Sequence, residues 1–156
     1  MSRKNKLDII SWAAVAVIAV TIFCFSAQRA DLSNESSGFI VGILTALFPG
    51  LDTMRLDLLT TIVRKTCHFT EYLLLGLALI NAVRRTFSKI GDKSWIAAGV
   101  CGYAYAVSDE IHQLFVPGRA GMFTDTLIDL AGVMTGIGLY LLCHVRRKSE
   151  EGGEDV

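Results

Sequence analysis

From residue 95 to residue 107 the chain carries no charge, and the next six residues are Ser108-Asp109-Glu110-Ile111-His112-Gln113. A helix that starts in hydrocarbon and ends in two carboxylates, an imidazole and an amide has few folds open to it. Such groups within a membrane face a protein interior or a wet cavity. Other helices must therefore surround this one, and the sequence supplies them. Apolar runs at 9–25, 67–83 and 124–143 come close to the length needed to cross a hydrocarbon core of about 30 Å. With 52% hydrophobic residues and a mean hydropathy of +0.47 over 156 residues, the expectation is a single all-α membrane domain, a four-transmembrane-helix bundle over residues 8–143.

The first run could be a secretory signal. Against this, the residues after it place Phe25 or Gln28 at the −3 position of either alanine cleavage site, a poor match to a small-x-small rule, so a retained first span is expected. Residues 38–48 form an apolar run too short to span, stopped by Pro49-Gly50, which suits an extra short interfacial or re-entrant helix on the outer side. It is either a packing arm or a substrate lid. Asp52 can cap one long helix that enters the membrane near His68 and stops at Arg84-Arg85. Residues 144–156 begin basic, end acidic and glycine-rich, and read as a disordered tail. Cys24, Cys67, Cys101 and Cys143 are widely spaced with no C-x-x-C pair, and read as small packing residues.

Ten of the fifteen Lys and Arg residues fall in the N-terminal tail, the 84–93 loop and the C-terminal tail. Positive-inside logic puts both termini in the cytoplasm and segments 29–65 and 117–121 outside. With those charges assigned to membrane edges, no basic surface suited to nucleic acid remains.

At about 100° per residue Arg64, His68 and Glu71 share a stripe, and Asp109, Glu110, His112 and Gln113 cover less than half of their helix. Asp125, Asp129, Gly132 and Gly136 form a third stripe, the last two making a G-x-x-x-G face for close helix approach. Measured at about 1.5 Å per residue, Glu71, Asp109 and Asp129 lie at one depth, towards the outer side. Gln28 and Ser26 can close the fourth side. The bland account is an ion-pair network that fixes helix register. The sharper one is a site in which Glu110, Glu71, Asp109 and His68 are candidates for acid–base work. In that account Arg64, Arg119, Gln113, Gln28, Asp125 and Asp129 are candidates for holding a ligand, the arginines for a phosphate or carboxylate. His68-x-x-Glu71 has the spacing of metal ligands, but no second motif supports it, so neither metal nor cofactor is expected. His112 is expected as a hydrogen-bonded neighbour of Asp109.

Taken together, Ser26-Ala27-Gln28, Arg64-Lys65-x-x-His68-Phe69-x-Glu71-Tyr72, Asp109-Glu110-x-x-Gln113-x-Phe115-x-Pro117-x-Arg119-x-Gly121 and Asp125-x-x-x-Asp129-x-x-Gly132 resemble the VanZ-like family of small bacterial membrane proteins. Ala27 and Asp129 depart from the serine and asparagine frequent there. The resemblance implies a bacterial plasma membrane location and, for the family's namesake, reduced susceptibility to the glycopeptide teicoplanin. The expected partners are membrane lipid and a lipid-linked or cell-wall-related small molecule at the outer face.

Overall fold

A computed structural model describes residues 2–27, 42–43, 45–46, 52–117 and 123–151. Four α-helices and no strands are found among them: α1 Arg3–Ser26, α2 Thr53–Thr86, α3 Ser94–Gln113 and α4 Phe123–Glu151. The short helix expected within 38–48 lies outside the described residues, except for 42–43 and 45–46, which are helical.

Three of the four helices have the length and composition to cross a membrane, Arg3–Ser26, Met54–Thr86 and Phe123–Val145. α3 is apolar only as far as Val107, and its last turn is spent on Asp109, Glu110, His112 and Gln113. The helices bury polar groups beside an apolar core and expose apolar side chains on the outside. Ser11, Ser26, Ser94, Asp109, Gln113, Thr126 and Asp129 are buried, whereas Ile10, Val17, Val20, Val100 and Leu142 are exposed. That inversion suits hydrocarbon as the surrounding solvent. It also places the four cysteines on the outer surface, all free and exposed, and not packed inside as the sequence suggested. The inward faces are taken by glycines, a set of larger apolar side chains and the buried polar groups.

α2 begins where Asp52 accepts a hydrogen bond from the Arg55 backbone N–H at 2.9 Å, and it ends on Arg84 and Arg85, which complement the negative end of its dipole. Its 34 residues make a rod about 50 Å long, more than a bilayer's hydrocarbon requires. A 3₁₀ segment, Ser88–Lys93, then turns the chain into α3, with Gly91 at φ +55° and ψ −130°, a conformation that only glycine adopts cheaply. α4 runs on to Glu151, through the basic stretch where the sequence suggested a disordered tail from His144. Arg, Lys and Glu, which make up much of this stretch, are good helix formers by type.

Contacts fix the register. Gly132 and Gly136 of α4 lie against the backbone of α2: a Cβ on Gly132 would stand 2.5 Å from the Phe69 carbonyl oxygen, and one on Gly136 would fall onto that of Leu73. In return, Gly76 of α2 leaves no room for a Cβ beside the Val133 carbonyl. α2 and α4 therefore run parallel in close backbone contact. Gly102 of α3 faces Val133, and a core of Ile22, Tyr72, Leu75, Ile80, Ala106, Val133 and Ile137 fills the interior. α1 is tied to α2 at the end that carries Arg84, Arg85 and Lys93, called the basic end below. There Trp12 Nε1 donates to Thr86 Oγ1 at 2.9 Å, Arg85 Nε to Asn81 Oδ1 at 3.1 Å, and Asn81 Nδ2 to Ser11 Oγ at 3.1 Å.

Replacing Gly132 or Gly136 by alanine should destabilise the bundle by about 1–3 kcal/mol through overpacking. Gly138→Ala, with nothing within 4 Å of the new methyl, should leave the melting temperature in detergent unchanged. Equal melting of all three variants would show that the helices separate at no cost.

Candidate functional site

At the end opposite the basic one, here the carboxylate end, α1 meets α3 through a buried trio. Ser26 Oγ donates to Asp109 Oδ2 at 2.7 Å, and Gln113 Nε2 donates to the same oxygen at 3.0 Å. Gln113 Nε2 also reaches Ser26 Oγ at 3.3 Å. Asp109 and Gln113 stand one helical turn apart, so their side chains fall on one face. Tyr105, one turn nearer the basic end, donates to the Ala19 carbonyl at 2.6 Å and aligns α1 with α3. His112 does not join the trio. Its ring stacks on Phe23 of α1 at 4.4 Å, and its buried Nε2 has no hydrogen-bond partner among the described residues.

A second cluster forms between α2 and α4. Lys65 Nζ lies 2.5 Å from Asp125 Oδ1, both about a third exposed. Asp125 stands in the first turn of α4, where the dipole favours a carboxylate. His68 Nδ1 is 4.0 Å from Glu71 Oε2 across one turn of α2, and both groups, like Glu110, make further contacts of their own. Arg64, half-buried beside them, has no ion-pair partner among the described residues. Asp129 is buried, and Asp109, Glu110, Asp125 and Glu71 all lie within electrostatic range of it. Arg64, His68, Glu71, Asp109, Glu110, Gln113, Asp125 and Asp129 therefore gather at one end of the bundle. Arg119 and Gln28 lie outside the described residues.

Two spaces of unequal size flank the first turns of α4. One is a crevice of about 10 Å³ against α2, lined by Arg64, Lys65, His68, Asp125, Ile128 and Asp129. It has room for roughly one water. The other is an open groove against α3 of about 320 Å³, at the low end of small-molecule sites, where Glu110 is the carboxylate among mostly aromatic and aliphatic side chains. Among the described residues no three His, Cys, Asp or Glu side chains converge as a metal site would require.

Sequence reading missed the importance of Tyr72, which is fully buried between α3 and α4. A signal was present: it follows His68 by one turn, and a buried phenol needs a hydrogen-bond partner.

The family described as VanZ/LLP1 matches the chain over residues 11–144. No curated protein and no solved structure matches it.

Ser26→Ala leaves Asp109 Oδ2 with Gln113 as its remaining partner, and should cost about 1–3 kcal/mol, as for a buried acceptor losing a donor. Thr21→Ala on the same helix removes a hydroxyl bonded only to its own helix's Val17 carbonyl. That change should shift the melting temperature little, and parity of the two variants would remove the trio's role in joining α1 to α3.

Proposed function

The chain belongs to the VanZ/LLP1 family, and from that premise we propose that it is a four-span protein of the bacterial plasma membrane, both termini cytoplasmic. At its outer face it binds a lipid-linked or cell-wall-related molecule and so lowers susceptibility to teicoplanin-type glycopeptides. One observation carries this reading: Arg64, with no ion-pair partner among the described residues, and a mostly apolar groove lined by Glu110 flank the same turns of α4. A guanidinium suits a phosphate or carboxylate head group. The groove, on helices that expose apolar side chains all round, suits a hydrocarbon chain entering sideways from the bilayer. In this reading Glu71, Glu110, Asp109 and His68 are the candidates for acid–base chemistry on a bound head group, and Glu110, which lines the groove, is the first of them.

A structural role is favoured for part of the cluster by its own hydrogen bonds. Lys65 with Asp125, and Ser26 and Gln113 with Asp109 Oδ2, bond one another across helices and hold them in register. The ligand-binding candidates that remain are those with spare capacity, Arg64 and Asp129 among them.

Orientation is tested by cysteine labelling of whole cells in a background lacking the four native cysteines. An impermeant maleimide should reach Pro117→Cys and miss Lys89→Cys. The reverse pattern would place the site in the cytoplasmic leaflet.

Function is tested by Arg64→Gln and Glu110→Gln, which keep size and much hydrogen-bonding capacity. Each should leave melting in detergent near wild type yet weaken retention of a polyprenyl phosphate about tenfold or more, the worth of one charge-assisted hydrogen bond. Teicoplanin protection in a susceptible host should fall with it. Undiminished binding and protection in both variants would sink the assignment.

A further inference from the structure

Three oxygens inside the bundle have no hydrogen-bond partner among the described residues, and they come from three helices: the Tyr72 hydroxyl on α2, Asp109 Oδ1 on α3 and Asp129 Oδ1 on α4. All are sealed from the outside, the residues being 0%, 3% and 2% exposed respectively. They also converge. The Tyr72 Cβ lies 3.1 Å from where a Gly132 side chain would begin, and its ring centroid is 6.2 Å from that of Tyr105. Asp129 and Asp109 stand about one turn from Gly132 and Tyr105, each towards the carboxylate end. Helical side chains lean towards their own N-terminus, and that of α2 is at the carboxylate end, so the phenol is carried to the level of the two carboxylates. Both lie within electrostatic range of it.

Donor counting leaves this place short. A phenol donates one proton, so even turned to one carboxylate it leaves the other oxygen without a donor. Ser26 and Gln113 are committed to Asp109 Oδ2, and Lys65 is held by Asp125. Neither Asp109 nor Asp129 has a cation partner among the described residues. Buried charges are normally paired, and buried polar groups lacking a protein partner are normally served by something else. A water-sized crevice lined in part by Asp129 lies beside them.

We propose that Tyr72, Asp109 and Asp129 form an intramembrane binding site for one small monovalent cation, either a proton shared by the carboxyl groups or a sodium-sized ion. The charged and titratable groups facing it are Arg64, Lys65, His68 and Glu71 from α2, Glu110 from α3 and Asp125 from α4. The Tyr105 phenol on α3 also faces it, the Ser26 hydroxyl comes from α1, and His112 is held aside on Phe23. The site stores its occupant and does not conduct it. Beyond it towards the basic end, no Asp, Glu, Lys, Arg or His occurs over 73–83, 95–107 or 130–143 to continue a path.

The purified full chain in detergent, melted across pH in choline chloride and across sodium at constant ionic strength, tests this without any lipid ligand. A cation bound only by the folded state raises the melting temperature saturably with its concentration. Asp129→Asn should remove that response, and Tyr72→Phe, which deletes one oxygen at constant shape, should shift its midpoint about tenfold, by one pH unit or a decade of sodium. A response to sodium at fixed pH identifies the ion, and a response to pH alone identifies the proton. A wild type that answers to neither, or a response unchanged in Tyr72→Phe, overturns the proposal. Tyr72→Phe decides the matter even if Asp129→Asn fails to fold.

Discussion

The backbone contact between α2 and α4 governs the rest of this protein. In lipid no hydrophobic force drives helices together, so association depends on close packing and on hydrogen bonds between helices. Gly132 and Gly136 on one helix and Gly76 on the other bring main chain against main chain. A contact that tight admits one register. It sets Asp125 beside Lys65 and lays Gly132 against Tyr72, so Asp129 falls inside the bundle and not on its lipid face. Every statement about the carboxylate end inherits its geometry from these glycines.

The two ends of the bundle use polar groups differently. At the basic end Arg85, Asn81, Ser11 and the Leu7 carbonyl form an unbroken chain of donors and acceptors. Each member is satisfied, which is what a scaffold inside a membrane requires. At the carboxylate end, among the described residues, Asp109 is served on Oδ2 alone, Asp129 Oδ1 and the Tyr72 hydroxyl have no partner, and Arg64 has no ion-pair partner. A half-satisfied network weakens a fold, so its presence on three helices at one level argues for an occupant that selection retains.

How much of this could be read beforehand follows from which relations are periodic. The Asp125, Asp129, Gly132, Gly136 stripe and the convergence of α2, α3 and α4 were visible because both follow from 3.6 residues per turn. α2 as one long helix was visible from its Asp52 cap and its Arg84-Arg85 stop. Relations between distant segments were not. Nothing near His112 in the chain announces Phe23 as its stacking partner, and nothing near Lys65 singles out Asp125 over its neighbours. The outward cysteines ran against their usual burial because that rule describes proteins in water. The basic stretch after Cys143 read as the start of a disordered tail, although the same residues also suit the end of a helix.

The unequal spaces beside α4 separate what each can hold. A crevice with room for one water admits a small cation and excludes a head group, so in the proposed binding mode an amphiphile's head group would rest at the mouth beside Arg64 and its chain in the groove beside Glu110. Asp109 connects the two. Its Oδ2 holds α1 through Ser26, and its Oδ1 faces the proposed cation, so filling the inner site changes the charge on a group that fastens the first helix to the third. Glu110 is the next residue on that helix and lines the groove. A cation held between Tyr72, Asp109 and Asp129 would therefore sit one residue away, along α3, from the carboxylate that lines the groove.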